Sequence, residues 1–252
     1  MEHKHIVREF DEELKKLDNL IAELGGLAER QLADAVDALV RRDAERAQEI
    51  AAADARLDEL EREIDELGID ILIRRQPMAN DFRVVIAALK TSSILERIGD
   101  YAKNIAKRTI ALSQMPAIGS VRSVQRMAES AQSQIKVALD AYLTRDAELA
   151  EDVRLRDQEI DSMHTSLFRE LLTYMMEDHR TITAGTHLLF IAKNLERIGD
   201  HATTIAENLL FLIHGSAPEN ARPKNDAAHY TVVDQNDVVS TAPHTGDGED
   251  EK

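Results

Sequence analysis

Apolar residues recur at helical spacing through the first 215 residues of the chain. Leu14, Leu17, Ile21, Leu24, Leu32, Val36 and Leu39 lie three, four or eight apart and predict a helix over residues 6–41. Gly25-Gly26 interrupts it and predicts a bend. Asp43 suits an N-cap for a second helix reaching residue 75, with Leu57, Leu60, Ile64 and Leu67 as its stripe. Pro77 lies in a turn, QPMAND, before a third helix over residues 81–112. The segment SQMPAIGS, with Pro116 and Gly119, reads as the internal linker. Three more helices follow over residues 121–143, 146–176 and 181–213, the second capped by Asp146 and the third stopped by Gly215. The pattern is all-α, with six long helices.

Part of the chain repeats. LERIGD occupies residues 95–100 and again residues 195–200, an offset of 100. Downstream, Ala102, Ile105 and Ala106 recur as Ala202, Ile205 and Ala206. RDAE recurs at residues 42–45 and 145–148, and EID at residues 63–65 and 159–161, offsets of 103 and 96. One three-helix unit is used twice, over residues 1–114 and 115–215. Residues 216–252 hold three of the five prolines and eight acids against three bases, a charge of −5. They are too polar for a core and are expected to form a disordered acidic tail, with a transient strand at most over residues 229–233.

Composition narrows the chemistry. Aromatics are 4% of 252 residues and Trp is absent, so the core must come from Ala, Leu, Ile and Val. Without cysteine there are no disulfides, thiolate zinc sites or thiol catalysis. A net charge of −16 disfavours direct binding to nucleic acid. No apolar run approaches ~18 residues, and MEHKHIVREFDEELKK lacks a signal-peptide core, so a cytoplasmic protein is expected.

The repeat carries candidate ligands. Leu95, Ile98, Ala102 and Ile105 form one seam, as do Leu195, Ile198, Ala202, Ile205, Leu209 and Leu212. Glu96 and Asp100, and likewise Glu196 and Asp200, then lie near the opposite face, one turn apart. Glu61 and Asp65 flank the second helix's seam, and Asp157 and Asp161 flank the fifth's. Four carboxylates per unit are expected to converge on the bundle surface. Oxygen donors with His201 suit Mg, Mn, Fe or Zn ions. Acids are 47 of 252 residues, so chance alone places on the order of nine acid-xxx-acid pairs. An identical hexamer in the same register is harder to attribute to chance. Gly99 and Gly199, each mid-helix, cost about 1 kcal/mol relative to alanine and imply close approach of a neighbour or a ligand. His164 lies one turn from Asp161, where it could join a site, and reads first as a surface residue.

Two copies of LERIGD, followed by YAKNIAKR and HATTIAENL, with ITxxxHLLFIAKNLERIGDHAT over residues 182–203, resemble the PhoU family over about residues 5–215. The resemblance implies two three-helix bundles side by side, often in a homodimer. It implies a cytoplasmic regulator of the phosphate-starvation regulon and of high-affinity phosphate uptake. Its partners would be the PstB-like ATPase subunit of a phosphate ABC transporter and a PhoR-like sensor histidine kinase, with membrane contact only through them. It also implies metal ions at Glu61/Asp65 with Glu96/Asp100 and at Asp157/Asp161 with Glu196/Asp200. Asn104 matches the asparagine after the first motif, Thr204 replaces it after the second, and His201 is retained. Two other functions fit the residues: a metal–carboxylate phosphohydrolase, and a helical scaffold whose acids only solvate it.

Overall fold

The computed structural model describes residues 2–52, 55–216 and 218. The expectations for a disordered tail and a strand at 229–233 lie outside these residues. The six expected helices are present, the second as two segments on either side of residues 53–54. They are α1 (Glu2–Arg41), α2 (Ala44–Ala52), α3 (Ala55–Arg75), α4 (Asn80–Ser113), α5 (Val121–Thr144), α6 (Ala147–Glu177) and α7 (Ile182–His214). One 3-10 turn, His179–Thr181, precedes α7. No helix of the described residues is long and apolar enough to cross a membrane.

The RDAE repeat is the hinge between the first two helices of each unit. Arg42 and Arg145 follow α1 and α5 at φ 58° and 56°, the left-handed conformation that ends a helix. The next residue starts the following helix. Asp43 accepts from Arg46 N at 2.9 Å, and Asp146 accepts from Glu148 N and Leu149 N at 2.9 and 3.1 Å. The Arg42 guanidinium turns back to the end of α4 and donates to Leu112 O and Ser113 O at 2.8 and 3.2 Å, satisfying carbonyls the helix leaves open. Gly215 closes α7 at φ 78°, its N–H donating to Phe211 O at 2.8 Å.

Helix α4 packs on α1, α2 and α3, and α7 packs on α5 and α6. The units join through α1 against α5 and α4 against α7, so one apolar core runs through both. The predicted stripes supply it: Leu95, Ile98, Ala102 and Ile105, with their counterparts in α7, are fully buried. Helix α1 runs unbroken through Gly25-Gly26, contrary to the expected interruption. A Cβ at Gly25 would lie 2.7 Å from both Leu139 methyls, so this glycine admits α5 to close packing.

Candidate functional site

The two hexamers lie on α4 and α7, which pack antiparallel. Lys90 Nζ stands 5.4 Å from the Phe211 ring centre, Tyr101 stacks on His201 at 5.5 Å and 17°, and Arg108 lies 4.1 Å from the Phe190 ring centre. Tyr101 and His201 directly follow the two hexamers, so the pseudo-two-fold relating the units passes close to this stacked pair. Arg197 of the second hexamer reaches over the Tyr101 ring at 5.9 Å.

The motif acids lie to either side of this contact. None of the eight candidates is fully exposed, and Asp157, Asp161 and Glu196 are only 2, 4 and 5% exposed. This corrects the expected outward face for the second unit. A three-to-four seam covers only one side of a helix, whereas α7 is contacted by α6 as well as α4 and α5, and Thr203 of α7 reaches Asp157 of α6, so acids flanking the seams at this packed face are covered too. Thr203, on the Glu196 side of α7, donates to Asp157 Oδ1 at 3.1 Å. Lys193 Nζ lies 2.8 Å from each oxygen of Glu196. In the first unit Ser93 stands in the place of Lys193, and its hydroxyl donates to Glu61. Asp100 pairs loosely with Lys103 at 3.7 Å. His164 is buried, not on the surface. Asn104 is exposed, while Thr204, its counterpart, donates to Asp200 O within its own helix at 2.8 Å.

The duplicated glycines reveal the register of the units. A Cβ at Gly99 would lie 2.9 Å from Leu57 Cδ1 and 3.2 Å from Gln31 Oε1. A Cβ at Gly199 would lie 2.9 Å from Ile160 Cδ1 and 3.5 Å from Gln134 Oε1. Leu57 therefore answers to Ile160, and Gln31 to Gln134, both at the RDAE offset of 103 rather than the EID offset of 96. At that offset Asp58 is the counterpart of Asp161, and Asp54, which lies outside the described residues, that of Asp157. Glu61 and Asp65 sit on the same side of α3, seven residues further on. Asp58, Thr203 and Lys193 thus act directly on the candidate acids Glu61, Asp157 and Glu196, and the EID match passed over Asp58. Carrying the RDAE offset along the helix would have found Asp58.

Electrostatics separates the units. Burial and the charges of Asp65 and Asp58 push the Glu61 carboxyl above its ordinary range, despite the Ser93 hydrogen bond and the Arg97 charge. Burial alone raises Asp65. A cation relieves such crowding, and all-oxygen donors fit a hard ion. In the second unit, Lys193 already supplies a cation to Glu196. Among the described residues no three His, Asp or Glu side chains converge as a ready-made ligand set. The donor chemistry of the carboxylates fits a metal.

The family model for the PhoU domain matches residues 21–109 and 124–209. A Rhizobium meliloti protein named phosphate-specific transport system accessory protein PhoU homolog is 51% identical over 228 residues, 90% of this chain and 96% of that one. A Caulobacter vibrioides protein of the same name is 49% identical over 88% of this chain and 97% of its own length. The crystal structure of PhoU from Pseudomonas aeruginosa superposes with a TM-score of 0.79 at 39% identity, over 82% of this chain and all of that one. The phosphate transport system regulatory protein PhoU from Streptococcus pneumoniae gives 0.77 at 29% identity, over 84% of this chain and all of that one.

Proposed function

The chain belongs to the PhoU family, and from that premise we propose that it is a non-enzymatic, cytoplasmic regulator that holds the phosphate-starvation response off and restrains phosphate uptake. It acts as an adaptor between the ATPase subunit of a phosphate ABC transporter and a sensor histidine kinase. The observation that carries this reading is the pairing of both hexamers across α4 and α7 in a chain about half identical to named phosphate-transport accessory proteins.

Metal ions belong to the same proposal. Glu61, Asp65, Glu96 and Asp100, with Asp58, form the first site, and Asp157, Asp161, Glu196 and Asp200 the second. A bound ion would supply charge compensation between carboxylates. The raised pKa of Glu61 and Asp65 supports the first site as the one that depends on it. Lys193 on Glu196 supports a second site that holds its shape without an ion.

Deletion of the gene tests the regulatory role. Alkaline phosphatase expression should rise in phosphate-rich medium and return to baseline on complementation. Unchanged expression in a strain lacking any paralogue would refute it. Elemental analysis of purified protein tests the metals, with loss of bound ion expected in Glu96→Ala/Asp100→Ala.

A further inference from the structure

The outer seam between α4 and α7 differs in charge from the rest of the molecule. On α4 it presents Arg83, Lys90, Arg97, Tyr101 and Arg108, and on α7 Phe190, Arg197, His201 and Phe211. Among the described residues no acid lies within the stripe, although the Arg97 charge reaches Glu61 beside it, because Glu96, Asp100, Glu196 and Asp200 lie about 100° around their helices. Arg97, Arg197, Lys90 and Phe190 are exposed. Cations and rings alternate: Lys90 over Phe211, Arg197 over Tyr101, Arg108 over Phe190. From Arg83 to Arg108 the stripe is about 38 Å long at 1.5 Å per residue. Its setting is acidic, since residues 1–215 carry −11.

A narrow cationic stripe flanked by carboxylates fits one acidic polypeptide segment. A duplex or a membrane presents a broad anionic face, which would meet the flanking acid rows as well. The chain itself contains such a segment. Asp247, Glu249, Asp250 and Glu251 place four acids within five residues. Gly215 leaves α7 at one end of the stripe, where a Cβ would lie 2.7 Å from the Arg83 guanidinium. About 32 residues separate Gly215 from Asp247, and at up to about 3.3 Å each they reach well past the far end of the stripe.

We propose that the α4/α7 seam is a docking surface for acidic polypeptide, and that residues 247–251 of the same chain occupy it. The tether gives these acids an effective concentration of about millimolar, enough to half-fill a site with a Kd of about 1 mM. An acidic face on a partner protein must then displace this segment to reach the seam.

Absence of cysteine permits a direct test on the full chain. A nitroxide is attached at Thr245→Cys, and amide relaxation is read on isotope-labelled protein. At 0.1 M salt, enhanced relaxation is expected at Lys90, Arg97, Tyr101 and Asn104. It should fade at 1 M salt, where the Debye length falls from about 10 to about 3 Å. It should also fade in Asp247→Asn/Glu249→Gln/Asp250→Asn/Glu251→Gln, and in Arg97→Ala/Arg197→Ala. No enhancement on the seam, or enhancement that survives either neutralised variant, would overturn the proposal. So would comparable enhancement on isotope-labelled, nitroxide-free molecules mixed with unlabelled nitroxide-bearing ones, because the occupant would then be a second copy.

Discussion

Alanine at Gly199 tests whether the repeated glycine exists to admit its neighbour. The new methyl would stand 2.9 Å from Ile160 Cδ1, which is too close, while Gln134 Oε1 at 3.5 Å is an ordinary contact. Ile160 is 1% exposed and has little room to turn away. Two effects oppose each other. Helix propensity favours alanine by about 1 kcal/mol. Overpacking costs about 1–3 kcal/mol. Gly199→Ala alone should therefore destabilise by about 0–2 kcal/mol. Ile160→Val alone removes the obstructing methyl and should cost about 0.5–1.5 kcal/mol. Combined, the alanine methyl fills the space left by Cδ1 and the propensity gain is realised. The double variant should lie within about 1 kcal/mol of the parent, a favourable coupling of about 1–3 kcal/mol. Urea unfolding followed by far-UV circular dichroism measures each corner of the cycle, the helical signal serving where Trp is absent. Additivity within about 0.5 kcal/mol would refute the packing argument. Gly99→Ala with Leu57→Ala offers the same test in the first unit.

Other perturbations give distinct readouts. Asp146→Ala removes the acceptor for two backbone N–H groups at the start of α6 and should cost about 1 kcal/mol in thermal unfolding, with Asp146→Asn costing less. Lys193→Met strips the 2.8 Å partner from Glu196, whose side chain is 6% exposed; a loss of about 2–3 kcal/mol is expected. Adding Glu196→Gln to that variant should recover most of the loss in thermal melting, because the uncompensated buried charge is then gone. Glu61→Gln/Asp65→Asn should raise the Tm of metal-free protein at neutral pH. The fold lifts both pKa values, so the folded state binds protons more tightly, and stability falls as pH rises through and above the ordinary carboxylate range. The gain should therefore shrink toward acid pH, and an equal gain at every pH would contradict this assignment. Arg42→Ala should loosen the end of α4, read as faster amide exchange in residues 112–115, because the guanidinium caps Leu112 O and Ser113 O.

Helix positions were legible because each is a local property. Alternation of apolar and polar residues, the caps Asp43 and Asp146 and the stop at Gly215 are read within one or two turns, and the structure places the elements there. The candidate acids were legible by residue type and less so by register. A local EID match tied Glu61 and Asp65 to Asp157 and Asp161, whereas the glycine contacts align Leu57 with Ile160 and bring Asp58 into correspondence. Two stretches seven residues apart share a helix face, so periodicity cannot choose between them.

The sequence by itself determined an all-helical chain of duplicated units, the hinges that turn each unit and the family to which it belongs, since all of these are written in short-range pattern and in the exact repeat. Burial was decided by the tertiary structure. A helix's own seam says which side turns inward first; only the packing of its neighbours says which flanking positions are covered. Helix α6 packs along α7, and Asp157, Asp161 and Glu196 are enclosed there, with Thr203 on Asp157 and Lys193 on Glu196. The same antiparallel packing sets Tyr101 on His201 and lines up arginines from both units along one seam of an acidic molecule. Those residues are about 100 positions apart, and no local rule relates them.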